Sequence, residues 1–269
     1  MNIIDYFAEH IVPRMYRGKG ALHPCETGIL TDRVRCVREY DVNIFFYHKN
    51  GTTIAIDAGY KNHPGFFEGT KLLGIDPSRI AATFLTHVDP DHGGGLDYRC
   101  TNKMPNAQVY LGEIEENYLT NVFTRKKIGP VKVKNSVSIK TGYHLLKDRE
   151  IVYVNDIKIQ AILVPGHTLG HLAYLIDNEY LFTGDSLALN ASGGYCFFDI
   201  FNYDSQMNIT SLIQLQNFCK DKDIRYLFTS HNGFTSDIPQ AFHHISEIPA
   251  WNKKGFVFDP TAPYDCFKS

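Results

Sequence analysis

The sequence predicts a mixed α/β fold in which sheets pack on the inside and helices cover them. Three observations carry this. Strand-rich segments and helical segments alternate twice along the chain. Side chains able to hold a metal recur just after strand ends, where a rigid sheet positions reactive loops. No Pro/Gly/Ser-rich linker, repeat or low-complexity tract divides the sequence, so residues 1–269 are expected to form one domain.

The elements follow in order. Residues 42–58 carry two β-rich runs on either side of Lys49-Asn50-Gly51, and Asn-Gly is a strong hairpin signal. Pro64 to Leu73 has helical character and is closed by Gly74. Ile80 to Thr86 is an apolar strand that runs straight into His and Asp residues, and Ala107–Leu111 is another strand. Ile114 to Val122 has helical spacing, whereas residues 124–149 are basic and irregular and predict a surface excursion. Ile151–Val154 and Ile157–Val164 form a hairpin through Asn155-Asp156, and Leu172–Ile176 and Glu179–Phe182 another through Asp177-Asn178. Ile209, Leu212, Ile213, Leu215 and Phe218 set a helix from Asn208 to Cys219, and Tyr226–Thr229 is a strand ending at a histidine. His243-His244 is expected on a further helix, and the segment from Trp251 to Ser269 over the site or along a sheet edge.

Composition narrows the function. With 43% hydrophobic and 21% charged residues the chain is an ordinary globular one. Its net charge of −2 gives no electrostatic footprint for nucleic acid or an anionic membrane. No apolar run approaches the ~18–20 residues of a membrane span. Met1-Asn2-Ile3-Ile4-Asp5 lacks the basic-then-apolar order of a signal peptide, so the cytoplasm is the expected location. Cys25, Cys36, Cys100, Cys196, Cys219 and Cys266 are scattered without a CxxC pair and are expected as free thiols.

The chemistry is concentrated in Thr86-His87-Val88-Asp89-Pro90-Asp91-His92-Gly93-Gly94-Gly95, where four candidate ligands fall within six positions. Imidazole and carboxylate together suit zinc, iron, manganese or cobalt better than magnesium or calcium. Pro90 stiffens the loop, and the glycine run lets the backbone pass close to the cluster. Three further sites repeat the strand-then-ligand layout: Pro165-Gly166-His167, Thr183-Gly184-Asp185 and Thr229-Ser230-His231. Each is weak alone, but the set in this order points to a metal centre.

From Asn43 to Gly233 this order and spacing resemble the metallo-β-lactamase superfamily, a four-layer αββα sandwich with its metal site at the sheet edges. The resemblance implies that His87, Asp89 and His167 hold one cation and that Asp91, His92 and His231 hold a second, with Asp185 bridging both. Asp89 departs from the family pattern, which has His there. Three carboxylates against two divalent ions leave a formal +1, where the usual set leaves +2. A less acidic bound water and a leaning toward harder ions are the expected consequences. Zinc is the expected metal, with iron or manganese as alternatives. His171, four residues beyond His167, is expected to support the ligands rather than join them.

The implied activity is that of a dinuclear metal hydrolase, in which a hydroxide shared by two cations attacks a small ester, lactone, thioester or similar molecule. Asp91 would orient the attacking group and pass its proton to the leaving group, and Tyr195 is the candidate donor to the oxyanion. The alternative is a diiron oxidoreductase of the same fold, suggested by Asp89; its flavin-dependent relatives need an electron-donating domain for which the chain has no room after His231. A small-molecule substrate is the expected partner, with neither nucleic acid nor membrane, and the oligomeric state is not legible.

Overall fold

The computed structural model describes residues 22–128, 130–140 and 142–247, together with Tyr6, His10 and Ile11. The expected course of the segment from Trp251 to Ser269 falls outside these residues.

The chain opens with β1 (Gly28–Ile29), β2 (Val34–Glu39), β3 (Val42–Lys49) and β4 (Thr52–Ile56), joined antiparallel in sequence order. The turn at Asn50-Gly51 sits where the Asn-Gly signal put it, both residues having positive φ. Helix α1 (Gly65–Leu72) then crosses over, Gly74 closing it at φ +65°, so that β5 (Ala82–Phe84) lies parallel to β4. β6 (Gln108–Gly112) continues parallel to β5. Of the helix expected over 114–122 only α2 (Glu116–Leu119) forms.

The stretch 124–149 is more ordered than its composition predicts. β7 (Lys126–Ile128) and β8 (Val131–Val133) make a small ribbon, and β9 (His144–Leu146) completes the first sheet beside β6. The short lengths of these strands hide them from a periodicity reading.

The second sheet is built from β10 (Ile151–Val154), β11 (Ile157–Leu163), β12 (Leu172–Ile176) and β13 (Tyr180–Phe182), antiparallel in sequence order. A hairpin of β14 (Leu187–Asn190) and β15 (Gly193–Cys196) precedes α3 (Ser205–Cys219). Helix α3 starts three residues before the apolar pattern does, because Asp204 caps it by accepting the Met207 N–H. It carries the chain back so that β16 (Tyr226–Phe228) lies parallel to β13, with β17 (Phe234–Thr235) at the edge. Helix α4 (Ile238–Ala241) ends before His243 and His244, which lie in the following turn and bridge rather than on a helix.

Alternation along the strands produces four layers. Phe45, Tyr47, Ile54, Ile56 and Phe84 of the first sheet face Ile159, Tyr174, Phe182 and Phe228 of the second in one buried cluster. The opposite face of the first sheet, with Ile44, Phe46 and Ala55, packs on Phe66 of α1 and Tyr118 of α2. Ile162, Leu175 and Leu181 of the second sheet pack on Leu212 and Leu215 of α3. This is the αββα sandwich. A one-residue slip in any of these strands would swap its two apolar sets between different clusters, which fixes the register. No helix among the described residues is long and apolar enough to cross a membrane.

One buried ion pair braces the layer under the site. Lys103 Nζ donates to Glu39, whose other oxygen accepts the Tyr60 N–H at 2.8 Å, and both side chains are fully enclosed. Burial pushes the Glu39 carboxyl up against the pull of Lys103. Lys103→Met should therefore cost roughly 3–5 kcal/mol by leaving Glu39 without its partner. The double change with Glu39→Gln should regain most of it, and urea unfolding of the three proteins reads the difference.

Candidate metal centre

Parallel strand direction brings the candidate residues to one edge. β4 and β5 run parallel in the first sheet; β13 and β16 do so in the second, and β11 shares their direction. Asp57, the 86–92 loop, His167, Asp185 and His231 all follow the C-terminal ends of these strands. The glycine run after His92 is required by backbone contact. A Cβ on Gly95 would stand 2.2 Å from the Ala58 carbonyl, and one on Gly94 2.7 Å from the Lys61 nitrogen.

All seven residues expected from the sequence converge. His87 Nε2 and His167 Nε2 lie 3.2 Å apart, and Asp89 Oδ2 is 3.6 Å from the first and 3.3 Å from the second. In a neighbouring triangle, Asp91 Oδ2 lies 3.5 Å from His92 Nε2 and 3.4 Å from His231 Nε2. Asp185 stands between the triangles, with Oδ1 3.4 Å from His92 and Oδ2 3.2, 3.5 and 3.9 Å from His231, His167 and His87. The edge of a tetrahedron with ~2.0–2.1 Å bonds is ~3.3–3.4 Å, so both triangles have the size a tetrahedral cation needs. His92 Nε2 and Asp185 Oδ1 are buried and make no hydrogen bond, leaving both lone-pair atoms for such a cation. The residues fit a metal.

Hydrogen bonds on the far side of three of the four rings fix which nitrogen faces the cluster, while His167 Nδ1 is buried without a partner. His231 Nδ1–H donates to the Asp41 carbonyl at 2.6 Å and His92 Nδ1–H to Asp57 Oδ2 at 2.8 Å. Thr86 Oγ1 donates to Asp57 at 2.9 Å and so accepts from His87 Nδ1–H at 3.0 Å. These proton positions are assigned from the network, and they give one consistent answer. Asp57 can only accept, and it thereby sets the tautomer of two histidines. His171 supports the cluster as expected: its Nε2 accepts the Asp185 N–H at 3.0 Å, and burial, then His87 and His167, hold its basicity well below the usual histidine range.

Several functional groups escape a sequence reading. Asp57 and Asp41 follow strand ends but belong to no histidine-rich motif. Glu115, whose carboxyl burial pushes up, accepts the Val88 N–H at 3.0 Å and the Thr168 hydroxyl at 2.7 Å, tying the metal loop to the His167 turn. Arg125 comes from the stretch read as a surface excursion. Its Nε and Nη2 form a fork on Asp89 at 2.7 Å each, and Nη2 lies 3.0 Å from His167 Nε2 and 2.8 Å from the Phe201 carbonyl. Burial works against the charges of this pair, yet Arg125 holds the Asp89 carboxyl well below the usual range. Burial, then Arg125, brings His167 down to about 4.

The aromatic ring beside the cluster is Phe197, 5.1 Å from the His167 ring and 5.9 Å from that of His231. Tyr195 stacks instead on His244 at 4.7 Å. Residues two apart on a straight strand share a face, but the chain leaves β15 after Cys196, so Phe197 is released from the face that Tyr195 occupies. Among the described residues Cys25, Cys36, Cys100, Cys196 and Cys219 carry free thiols; Cys266 lies outside them.

Comparison with known proteins places the chain in a family. The chain is 30% identical over 124 residues to the probable polyketide biosynthesis zinc-dependent hydrolase PksB of Bacillus subtilis, covering 46% of each. It is 27% identical over 158 residues to the hydroxyacylglutathione hydrolase of Buchnera aphidicola, covering 58% of this chain and 52% of that one. The matches thus span about half the length of these curated relatives. Among solved structures, a B3 metallo-beta-lactamase with an active-site glutamic acid superposes over 90% of both chains with a TM-score of 0.61 at 14% identity, a likeness of fold. The sequence profile of the metallo-beta-lactamase superfamily matches residues 37–231, and the chain belongs to that superfamily.

Proposed function

We propose that this chain is a hydrolase that holds two divalent cations and cleaves a small ester, lactone, thioester or similar molecule. The observation that supports it most is the pair of donor triangles joined by Asp185. His87, Asp89 and His167 would hold one cation, Asp91, His92 and His231 the other, and Asp185 would reach both. Two divalent ions at such a centre supply a water activated near neutral pH and a Lewis acid for the scissile carbonyl.

The protein's own part follows from exposure. Of the seven donors only Asp89 and Asp91 reach solvent, at 16% and 17%, the rest being 5% or less. Arg125 occupies both oxygens of Asp89, so Asp91 is the carboxylate left to orient the attacking water and carry its proton to the leaving group. Phe197 keeps one wall of the cluster apolar, which strengthens the electrostatic interactions beside it. Tyr195, stacked on His244, is given no part. The names of the two curated relatives, one a zinc-dependent hydrolase and the other a hydroxyacylglutathione hydrolase, support zinc and an acyl substrate. The free thiols suit a reducing compartment such as the cytoplasm. The diiron alternative leaned on Asp89, and a carboxylate already answered by Arg125 favours iron less.

Elemental analysis of protein purified without added metal should find zinc, rising to two per chain when zinc is supplied, and a panel of thioesters, lactones and esters should be hydrolysed until a chelator is added. Two iron with a ligand-to-metal absorption band, and no hydrolysis, would reject the reading. Asp91→Asn should slow turnover roughly 100- to 10,000-fold with an unchanged circular dichroism spectrum. Asp57→Asn, which turns one of the two oxygens accepting from His92 and Thr86 into a donor, should weaken zinc binding about 10- to 100-fold in competition with a chromophoric chelator.

A further inference from the structure

We infer that Arg125 competes with a cation for the His87–Asp89–His167 triangle, so that the two metal positions of this chain fill in order, the Asp91–His92–His231 position first and tightly, the other second and weakly. The inference rests on the two-cation reading above and adds to it an internal counter-ion.

Three observations carry it. The guanidinium is forked onto Asp89, with Nε 2.7 Å from Oδ1 and 2.9 Å from Oδ2, and Nη2 2.7 Å from Oδ2. The oxygen it holds most fully, Oδ2, is the one that lies 3.3 and 3.6 Å from the two imidazoles. Arg125 Nη2 also stands 3.0 Å from His167 Nε2, its positive charge against the nitrogen lone pair that a cation in this triangle would take. The second triangle has no such rival: among the described residues, the hydrogen bonds of His92 and His231 run through Nδ1 to Asp57 and Asp41, away from the cluster.

Charge points the same way. Asp89 adds a negative charge to the ligand set, and Arg125 cancels it, returning the formal sum with two divalent ions from +1 to +2. The lower formal charge expected from Asp89 alone is thus offset by a cation that this chain carries with it. Nothing in the motif around Asp89 announces it, since the two residues stand 36 positions apart. The anchor is firm, because Nη2 donates to the Phe201 carbonyl at 2.8 Å while the adjoining Lys126 donates to Asn202 at 3.1 Å.

The test is a titration of metal-free protein with Zn²⁺ alone, followed by calorimetry and by competition with a chromophoric chelator. Wild type should show one tight and one weaker step. Arg125→Gln should leave the tight step unchanged and tighten the weaker one by roughly tenfold or more, because a unit charge one carboxylate away from a divalent ion has been removed. Arg125→Lys, which keeps the charge but not the planar fork, should tighten it less. A merely structural arginine predicts the opposite sign, so an unchanged or weakened second step in either variant overturns the inference. Thermal melting of the metal-free proteins identifies any variant that does not fold, and the lysine variant then carries the test. Two equal tight steps in wild type would overturn this inference and leave the two-cation reading standing; no zinc binding by any of the proteins would remove both.

Discussion

The centre depends on keeping four buried imidazoles and three carboxylates within a few ångströms of one another without letting the rings turn. Each histidine offers two chemically different nitrogens, and a cation can be held only if the correct one faces inward. Where the far nitrogen has a fixed acceptor, as in His92 on Asp57 and His231 on the Asp41 carbonyl, orientation and tautomer are settled by the same bond. Those acceptors are themselves held by the sheets: Asp57 directly follows β4, and Asp41 lies in the turn joining β2 to β3. The two-sheet sandwich is in this sense the orienting device, and its parallel strand pairs bring the loops to a common edge.

Much of this was legible in the sequence because the ligands follow strands in a fixed order. Strand ends are marked by apolar runs, and His87, Asp185 and His231 each come within a few residues of one. The hairpins at Asn50-Gly51 and Asp177-Asn178 were equally readable, since positive φ at these positions selects Asn, Asp and Gly. The ordering of the four layers also follows from strand alternation.

What the sequence hid is interaction between residues whose local context carries no signal. Arg125 sits in a basic, irregular stretch whose charges look solvated, and only the fold reveals that this one turns inward to Asp89. Glu115, one of three glutamates between 113 and 116, and Asp41, two residues after Glu39, belong to no ligand motif, and their roles come from what lies across the sheet edge. Tyr195 illustrates the reverse: a glycine-flanked aromatic in a suggestive place, whose ring the strand direction aims at His244 while Phe197 meets the ligands. Short β7, β8 and β9 were missed because three residues are too few to show a period.

Thr86 never contacts the cluster centre, yet its hydroxyl joins His87 to Asp57, accepting from one and donating to the other. Such a link conducts in a single sense, because the carboxylate at its end has no proton to give back. The residue just ahead of the first histidine is thereby limited to side chains bearing an alcohol; valine, of nearly the same shape, would free the His87 ring to flip. Steric fit at that buried spot is the lesser requirement, and polarity of the proton chain the greater.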